Sequence, residues 1–228
     1  MKLKRIIILS VLASALSASS AGAAGFADTK GHWAEEIIDT LAAEGIVSGV
    51  SDTEFNPDGT VTRAEFLKMA LGAADIDEMS YRSGECLDVR ADDWFAPCVQ
   101  SALDRGLIPE AMIRDYAVSI VGEENNPRAV YSGYLDADTP VKREEMAYIA
   151  QSVYQYSLDG SEALALKKPA DMYFTDLSSI SLWALDGVRH AYSNGLVSGM
   201  DDDTFRPQST ATRAQAATII YQLLEKMK

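Results

Sequence analysis

The sequence predicts an all-α fold made of three copies of one helix–loop–helix unit. Three observations predict it: the same residues recur in the same order three times, the apolar residues of each copy follow helical spacing, and a glycine stands where the first helix of each copy should end. A two-helix unit of this size cannot bury the apolar faces of both helices alone. We therefore expect the copies to pack against one another.

The first and third copies repeat the same landmarks at the same spacing. Trp33 is followed by a glycine twelve residues later and by an arginine thirty residues later, and Trp183 keeps both distances. The shared segments, in their first-copy form, are Phe26-Ala27-Asp28, Trp33-Ala34, Gly45-Ile46-Val47-Ser48-Gly49, Phe55-Asn56-Pro57 and Thr62-Arg63-Ala64-Glu65. Because chance does not produce so many ordered matches, we interpret residues 24–75 and 172–228 as two copies of one repeat.

A middle copy at residues 85–156 keeps these landmarks but carries an insertion. Trp94 is again followed twelve residues later by a glycine, Gly106, whereas Arg143 lies 49 residues away rather than 30. The 19 additional residues are predicted to lie near residues 109–132. We expect them to cover or reshape the surface of this copy.

The first helix of each copy has a recognisable apolar face and a stop signal. From residue 33 to residue 44 the apolar residues are spaced as on one side of a helix, and Gly45 follows where the chain can turn left-handed. Gly195 supplies the same stop in the third copy. Because Trp33 and Trp183 each begin an apolar stripe, we expect the tryptophans to pack in the core rather than to stack on sugars.

The second helix of each copy has a start signal. Thr62 and Glu65 form a capping box, in which the threonine hydroxyl and the glutamate carboxylate satisfy two backbone amides of the first turn. Thr212 and Gln215 repeat this arrangement. The helices are therefore predicted to begin directly after the two threonines.

One arginine recurs at the first helical position of all three copies, where structure alone does not require it. Arg63, Arg143 and Arg213 would lie at a helix N-terminus, where the helix dipole disfavours a cation by about 0.3–1 kcal/mol. Two explanations remain open. The guanidinium and free helix amides could bind an anionic ligand, or each arginine could form a structural ion pair with an acid of a neighbouring copy.

Residues 1–23 are predicted to be a secretory signal peptide. The segment Met1-Lys2-Leu3-Lys4-Arg5 is cationic, the run 6–18 is apolar but too short to span a membrane, and Ala21-Gly22-Ala23 fits a cleavage site. We therefore expect a secreted protein with no membrane span after the signal is removed.

The remaining chain is strongly acidic. Cleavage after Ala23 would remove three of the 20 basic residues and leave 17 against 34 acidic ones, which changes the net charge from −14 to −17. Such a surface repels nucleic acid. An anionic ligand would therefore have to meet local cationic pockets.

The two cysteines and two histidines do not predict a reaction centre. In an exported protein the close pair Cys86 and Cys98 is read as a disulfide, with two buried thiols as the alternative. Structural zinc requires four ligands, so the pair alone is a poor metal site. His32 and His190 fall at different repeat positions. We expect no catalytic residues, no metal and no cofactor.

The ordered segments resemble the S-layer homology family, whose hallmark is a triplet of such repeats. The resemblance covers nearly everything after residue 23. It implies a pseudo-threefold helical bundle with binding grooves between adjacent copies. It also implies noncovalent anchoring to the bacterial surface, through secondary cell-wall polysaccharide that often bears pyruvate ketals, or through modified peptidoglycan.

Carried over by position, the ligand-binding arginine of that family falls on Arg63, Arg143 and Arg213. The family's Asp-Gly-Thr-Phe loop also faces the groove. Its acid is kept as Asp52 and Asp202, which the resemblance implies as further ligand-binding residues, but its glycine is lacking in both copies. Since a side chain in place of glycine can obstruct a close backbone approach, we expect one or two working grooves.

The partners expected from this resemblance are a wall polymer and other surface-layer proteins. The main hypothesis is a cell-wall binding protein of the bacterial surface. The alternative is a secreted protein–protein interaction module of the surface layer that does not itself bind glycan. The three arginines distinguish the two hypotheses, because a sugar acid requires them and an apolar peptide groove does not.

Overall fold

The structure is a computed structural model that describes residues 25–82, 86–121, 128–158 and 171–228. The predicted signal peptide, residues 1–23, lies outside the described residues.

Six α-helices in the described ranges carry most of the fold. They are α1 Glu35–Ala43, α2 Arg63–Ala73, α3 Ala96–Asp104, α4 Arg143–Ser157, α5 Leu185–Ser193 and α6 Arg213–Met227. Short 3-10 helices lie at Ala27–Thr29, Glu110–Met112 and Leu177–Ser179. None of the helices in these ranges is long and apolar enough to cross a membrane.

The fold is helix-rich but not all-α, which corrects the predicted class. Strands β1 Arg114–Val121 and β2 Arg128–Tyr134 form an antiparallel hairpin. It occupies the stretch that the spacing of the middle copy marked as an insertion. Residues of β1 such as Tyr116, Val118 and Ile120 belong to the aromatic and β-branched types that favour strands. The helical repeat pattern carried no information about these inserted residues.

The signals that start and stop the helices are confirmed. Thr62 Oγ1 accepts the amide of Glu65 while the Glu65 carboxylate accepts the amide of Thr62. Thr212 and Gln215 make the same exchange at the start of α6. The three glycines that follow the first helices are all left-handed, with φ of +73° at Gly45 and similar values at its two counterparts, Gly106 and Gly195.

A closed ring of three backbone hydrogen bonds joins the segments that lead into α2, α4 and α6. Val61 N–H donates to Ala211 O (3.3 Å), Ala211 N–H to Val141 O (3.3 Å), and Val141 N–H to Val61 O (3.0 Å). All three residues are buried. Each lies two residues before one of the recurring arginines, so the ring brings the starts of the three helices together in the hydrophobic core.

The prediction that the tryptophans pack in the core is wrong for at least two of them. Trp33 is 63% exposed and Trp94 is 54% exposed. Helix α1 begins two residues after Trp33, so the indole belongs to the preceding turn, and the buried stripe starts at Ala34 instead. Trp183 is half-buried, with its ring 5.7 Å from that of Tyr148.

Cys86 and Cys98 are both buried, and the structure does not join them in the predicted disulfide. Cys98 Sγ donates to Glu78 Oε1 at 3.2 Å, and Lys68 also binds this carboxylate. Burial, together with the adjacent Glu78 carboxylate, raises the pKa of Cys98 to about 12. The side chain of Cys98 is therefore a neutral thiol at neutral pH.

Candidate functional site

Three surface clefts each combine one recurring arginine with one tryptophan. Groove A is lined by residues 45–50 with Arg213 and Trp94 and has a volume of about 350 Å³. Groove B is lined by residues around Met112 with Arg63 and Trp183, and its volume is about 370 Å³. Groove C, about 680 Å³, is lined by residues 195–200 with the remaining pair, Arg143 and Trp33. Each groove thus takes its loop, arginine and tryptophan from three different parts of the chain.

The helix amides beside these arginines are not free, which corrects one part of the sequence argument. Arg63 N–H donates to Thr139 O and Ala64 N–H to Ala137 O, both at 3.0 Å. The first two amides of α4 donate in the same way to Ser209 O and Pro207 O. Those of α6 donate to Gly59 O and Pro57 O. These six helix amides are therefore not available to an anion in the grooves.

Arg63 forms the structural ion pair that the sequence left open. Its Nε and Nη2 donate to the two carboxylate oxygens of Glu145 at 3.0 and 2.6 Å, and its Nη1 donates to Leu135 O at 2.9 Å. The Glu145 side chain is only 4% exposed. All three nitrogens of this guanidinium are thus occupied inside the protein.

Arg213 makes a single hydrogen bond with an acid, whereas Arg63 makes two. Its Nε donates to Phe55 O and its Nη2 to Ser48 O, each at 2.8 Å, while Nη1 reaches one oxygen of Glu65 at 3.2 Å. The guanidinium carbon lies 4.6 Å from the centre of the Phe55 ring. Burial lowers the pKa of Arg213, and the nearby Glu65 carboxylate opposes this change.

Arg143 has no ion pair with any described residue. Its Nε donates to Phe205 O at 2.8 Å and its Nη2 to Ser198 O at 3.1 Å. The residue is 8% exposed, and this burial lowers the pKa of its guanidinium. The positive charge of Arg206 lowers the pKa further, by a smaller amount. The carboxylate of Asp176 lies close enough to oppose this change but forms no ion pair with Arg143. Because arginine remains protonated in proteins, groove C contains a buried positive charge with no carboxylate of the described residues in direct contact.

The two aspartates proposed as ligands do not line any of the three grooves. Asp52 lies exposed in the loop that follows the groove A segment. Asp202 accepts hydrogen bonds from Thr204 Oγ1 (2.5 Å) and Arg206 Nη2 (2.7 Å), which lower its pKa to about 2. The structure therefore brings the arginines and tryptophans together but leaves these two acids outside.

The aspartate of the Phe26-Ala27-Asp28 segment recurs as Asp88 and Asp176, and the sequence alone assigned no role to these three residues. Each of these aspartates accepts two consecutive backbone amides of the loop whose carbonyl binds the arginine. The pairs are Asp28 with Phe55 and Asn56, Asp88 with Leu135 and Asp136, and Asp176 with Phe205 and Arg206. The second residue of each pair has a positive φ, between 51° and 60°. Recurrence of the acid was the signal available in the sequence.

The described residues contain no group of three or more histidine, cysteine or acidic side chains that could hold a metal ion.

Comparison with known families matches the S-layer homology domain to residues 25–67 and 173–217. These two segments contain the α1–α2 and α5–α6 helix pairs up to the first turn of each second helix.

Three proteins illustrate the range of chains that contain a region similar to this sequence. An amylopullulanase of Thermoanaerobacterium thermosulfurigenes is 37% identical over 201 residues, 88% of this chain and 10% of the enzyme. A cellulosome-anchoring protein of Acetivibrio thermocellus is 31% identical over 95 residues, 42% of this chain and 20% of that protein. A surface-layer 125 kDa protein of Lysinibacillus sphaericus is 22% identical over 201 residues, 86% of this chain and 14% of that protein. The chain thus spans a fifth or less of each relative.

Proposed function

Because residues 25–67 and 173–217 belong to the S-layer homology family, we propose that this protein attaches to the bacterial cell surface by noncovalent binding of an anionic wall polymer. The ligand class is a secondary cell-wall polysaccharide with acidic substituents, or modified peptidoglycan. The similarity to a surface-layer protein and to a cellulosome-anchoring protein supports a surface location. The protein acts as a binding module rather than as an enzyme, and the cell wall is its destination after secretion.

The middle segment, residues 85–156, is proposed to be the third copy of the repeat. Its support is local geometry: Asp88 binds the amides at Leu135 and Asp136 as Asp28 and Asp176 bind theirs, and Val141 takes its place in the ring of backbone hydrogen bonds. The three copies would form the pseudo-threefold bundle implied by the family resemblance, with the β1–β2 hairpin as an addition to the middle copy.

The observation that carries this function is the buried, unpaired guanidinium of Arg143 in groove C. A planar guanidinium binds a carboxylate through charge-assisted hydrogen bonds, and such a charge stabilises an anionic ligand more strongly where water is excluded. Trp33 lines the same groove with most of its surface exposed. An indole face with a nearby cation suits a sugar ring that bears a carboxylate, even on a protein with a net charge of −14.

Sedimentation with isolated cell walls tests the proposal. Walls of Acetivibrio thermocellus, Thermoanaerobacterium thermosulfurigenes and Lysinibacillus sphaericus form a suitable panel, because proteins of these bacteria are similar to this chain. We expect the purified protein to sediment with at least one wall preparation and Arg143→Ala to reduce the bound fraction. Arg90→Ala is the matched control, because Arg90 is exposed and pairs with Asp92 away from the grooves.

Removal of the secondary polysaccharide from the binding walls separates the ligand classes. Loss of binding identifies the polysaccharide, whereas unchanged binding identifies peptidoglycan. Failure to sediment with any wall of the panel would overturn the proposal in favour of a protein-interaction module of the surface layer.

A further inference from the structure

We infer that groove C is the one groove of the three that receives the anionic group of the ligand, and that the neutral amide of Gln215 makes this possible. The inference rests on the proposed function and specifies which site performs it. It also identifies a residue that determines specificity, since Gln215 occupies a position where the other two grooves have a glutamate.

The three arginines lie beside equivalent positions in neighbouring helices. Arg63, at the start of α2, pairs with Glu145, the third residue of α4. Arg213, at the start of α6, binds Glu65, the third residue of α2. The third residue of α6 is Gln215, and it lines groove C together with Arg143 at the start of α4. A single substitution of amide for carboxylate thus accounts for the missing ion pair.

The charges that line each groove lead to the same conclusion. Arg143 is the sole charged side chain in the lining of groove C among the described residues. Groove A contains Arg213 with its partner Glu65, and also Lys68, which is bound to Glu78 outside the groove. Groove B contains equal numbers of basic and acidic side chains. These are Arg63, Arg114 and Lys142 against Asp136, Glu144 and Glu145.

A glutamate in the position of Gln215 would oppose an anionic ligand in two ways. It would occupy donors of the arginine, and its own charge would repel the incoming carboxylate. Gln215 avoids both effects and still caps α6, because its Oε1 accepts the Thr212 amide at 3.2 Å. Its Nε2 donates to no described residue, so this amide group remains as a second donor for the ligand.

The size and lining of groove C define the class of ligand. Its volume of about 680 Å³ is nearly twice that of either other groove and lies within the range typical of small-ligand sites, about 300–1,000 Å³. Apart from Arg143, its polar side chains are hydroxyls and amides, which include Ser198, Gln215 and Gln222. A saccharide residue with one carboxylate and several hydroxyls matches this set.

Titration with soluble wall polysaccharide tests the inference. The probe is the polysaccharide released from a binding wall by muramidase, purified from muropeptides, and compared with the same material after chemical reduction of its carboxyl groups. We expect one class of site per protein for the native probe and little binding of the reduced one. Gln215→Glu should weaken binding about tenfold to a hundredfold, the range for loss of a hydrogen bond to a charged group.

The reciprocal variant provides a gain of function. Glu65→Gln should release Arg213 and add a second site for the native probe in groove A, while the glutamine still caps α2. Glu36→Gln is the matched control, because it removes the same charge from an exposed position of α1. Thermal unfolding of each variant verifies that the fold is retained.

The outcomes separate the inference from the function on which it rests. If the unmodified protein binds but Gln215→Glu leaves the affinity unchanged, or if the reduced probe binds as well as the native one, the role of Gln215 is overturned and wall attachment stands. Two or more native sites before any substitution would also overturn it. If the unmodified protein sediments with walls but does not bind the soluble polysaccharide, the inference is overturned and peptidoglycan remains the ligand. Failure to sediment with any wall of the panel would remove both proposals.

Discussion

Alanine substitution of two equivalent arginines, Arg63 and Arg143, should separate stability from binding. Removal of Arg63 leaves the carboxylate of Glu145, which is 4% exposed, without its bidentate partner. Breaking a buried pair in this way costs about 3–5 kcal/mol of the free energy of unfolding. Removal of Arg143 breaks no ion pair. It leaves the buried carbonyl of Phe205 without its donor, whereas the carbonyl of Ser198, which lines groove C, can be hydrated. Its expected cost is therefore about 1–2 kcal/mol.

Urea unfolding followed by circular dichroism measures the two free energies, and wall sedimentation measures the bound fraction. We expect Arg63→Ala to be destabilised by about 2 kcal/mol more than Arg143→Ala, and Arg143→Ala to lose more binding at a temperature where both variants are folded. Glu145→Gln serves as an additional variant, because a glutamine can still cap α4 through its carbonyl oxygen. Equal destabilisation by the two alanine variants would refute the assignment of Arg63 to structure and Arg143 to ligand binding.

Three further predictions follow from the positions of individual side chains. Trp33→Ala should weaken wall binding and change the free energy of unfolding by less than about 1 kcal/mol, because the indole is 63% exposed in groove C; Tyr173→Ala, at an 82% exposed residue outside the grooves, is the control and should leave binding intact. Asp202→Asn should leave sedimentation unchanged, since Asp202 pairs with Arg206 outside the grooves, and a clear loss of binding would restore this residue to the site. The raised pKa of Cys98, about 12, means that the folded state favours the neutral thiol; stability from this group should be complete below the ordinary thiol pKa and decrease as pH rises toward 12. Alkylation with iodoacetamide at pH 8, read by mass, should therefore modify Cys98 only after denaturation, and a mass increase of two protons on reduction would instead reveal a Cys86–Cys98 disulfide.

Of the two explanations that the sequence left open for the recurring arginine, the structure shows the internal ion pair at Arg63, and ligand binding is our proposal for Arg143. Arg63 has the bidentate internal partner of a structural ion pair, whereas Arg143 has two carbonyl acceptors and no acid among the described residues. Arg213 lies between these cases, with a single contact to Glu65. Positional equivalence along the chain therefore does not imply an equivalent chemical role.

Local signals were enough to predict where the helices begin and end. Thr62 and Glu65 satisfy each other's amides within four residues of chain, and Gly45 provides the left-handed turn that ends α1. Such features depend on residues that are close in sequence, so they can be recognised without the fold. The recurrence of Trp, Gly and Arg, at the same spacing in the first and third copies, likewise predicted the repeats and indicated the family resemblance.

Only the tertiary structure decided which of these residues line a groove and which of the arginines have an internal acid as partner. Arg213 binds the carbonyl of Phe55 across 158 residues of chain, and Arg63 binds Glu145 across 82. The exposure of Trp33, in a groove shared with Arg143, is equally a product of how distant segments meet. Charge compensation depends on distances between side chains rather than on their order in the chain. For that reason the sequence established three matching arginines, and the folded arrangement left one of them, Arg143, with an unpaired charge beside an open groove.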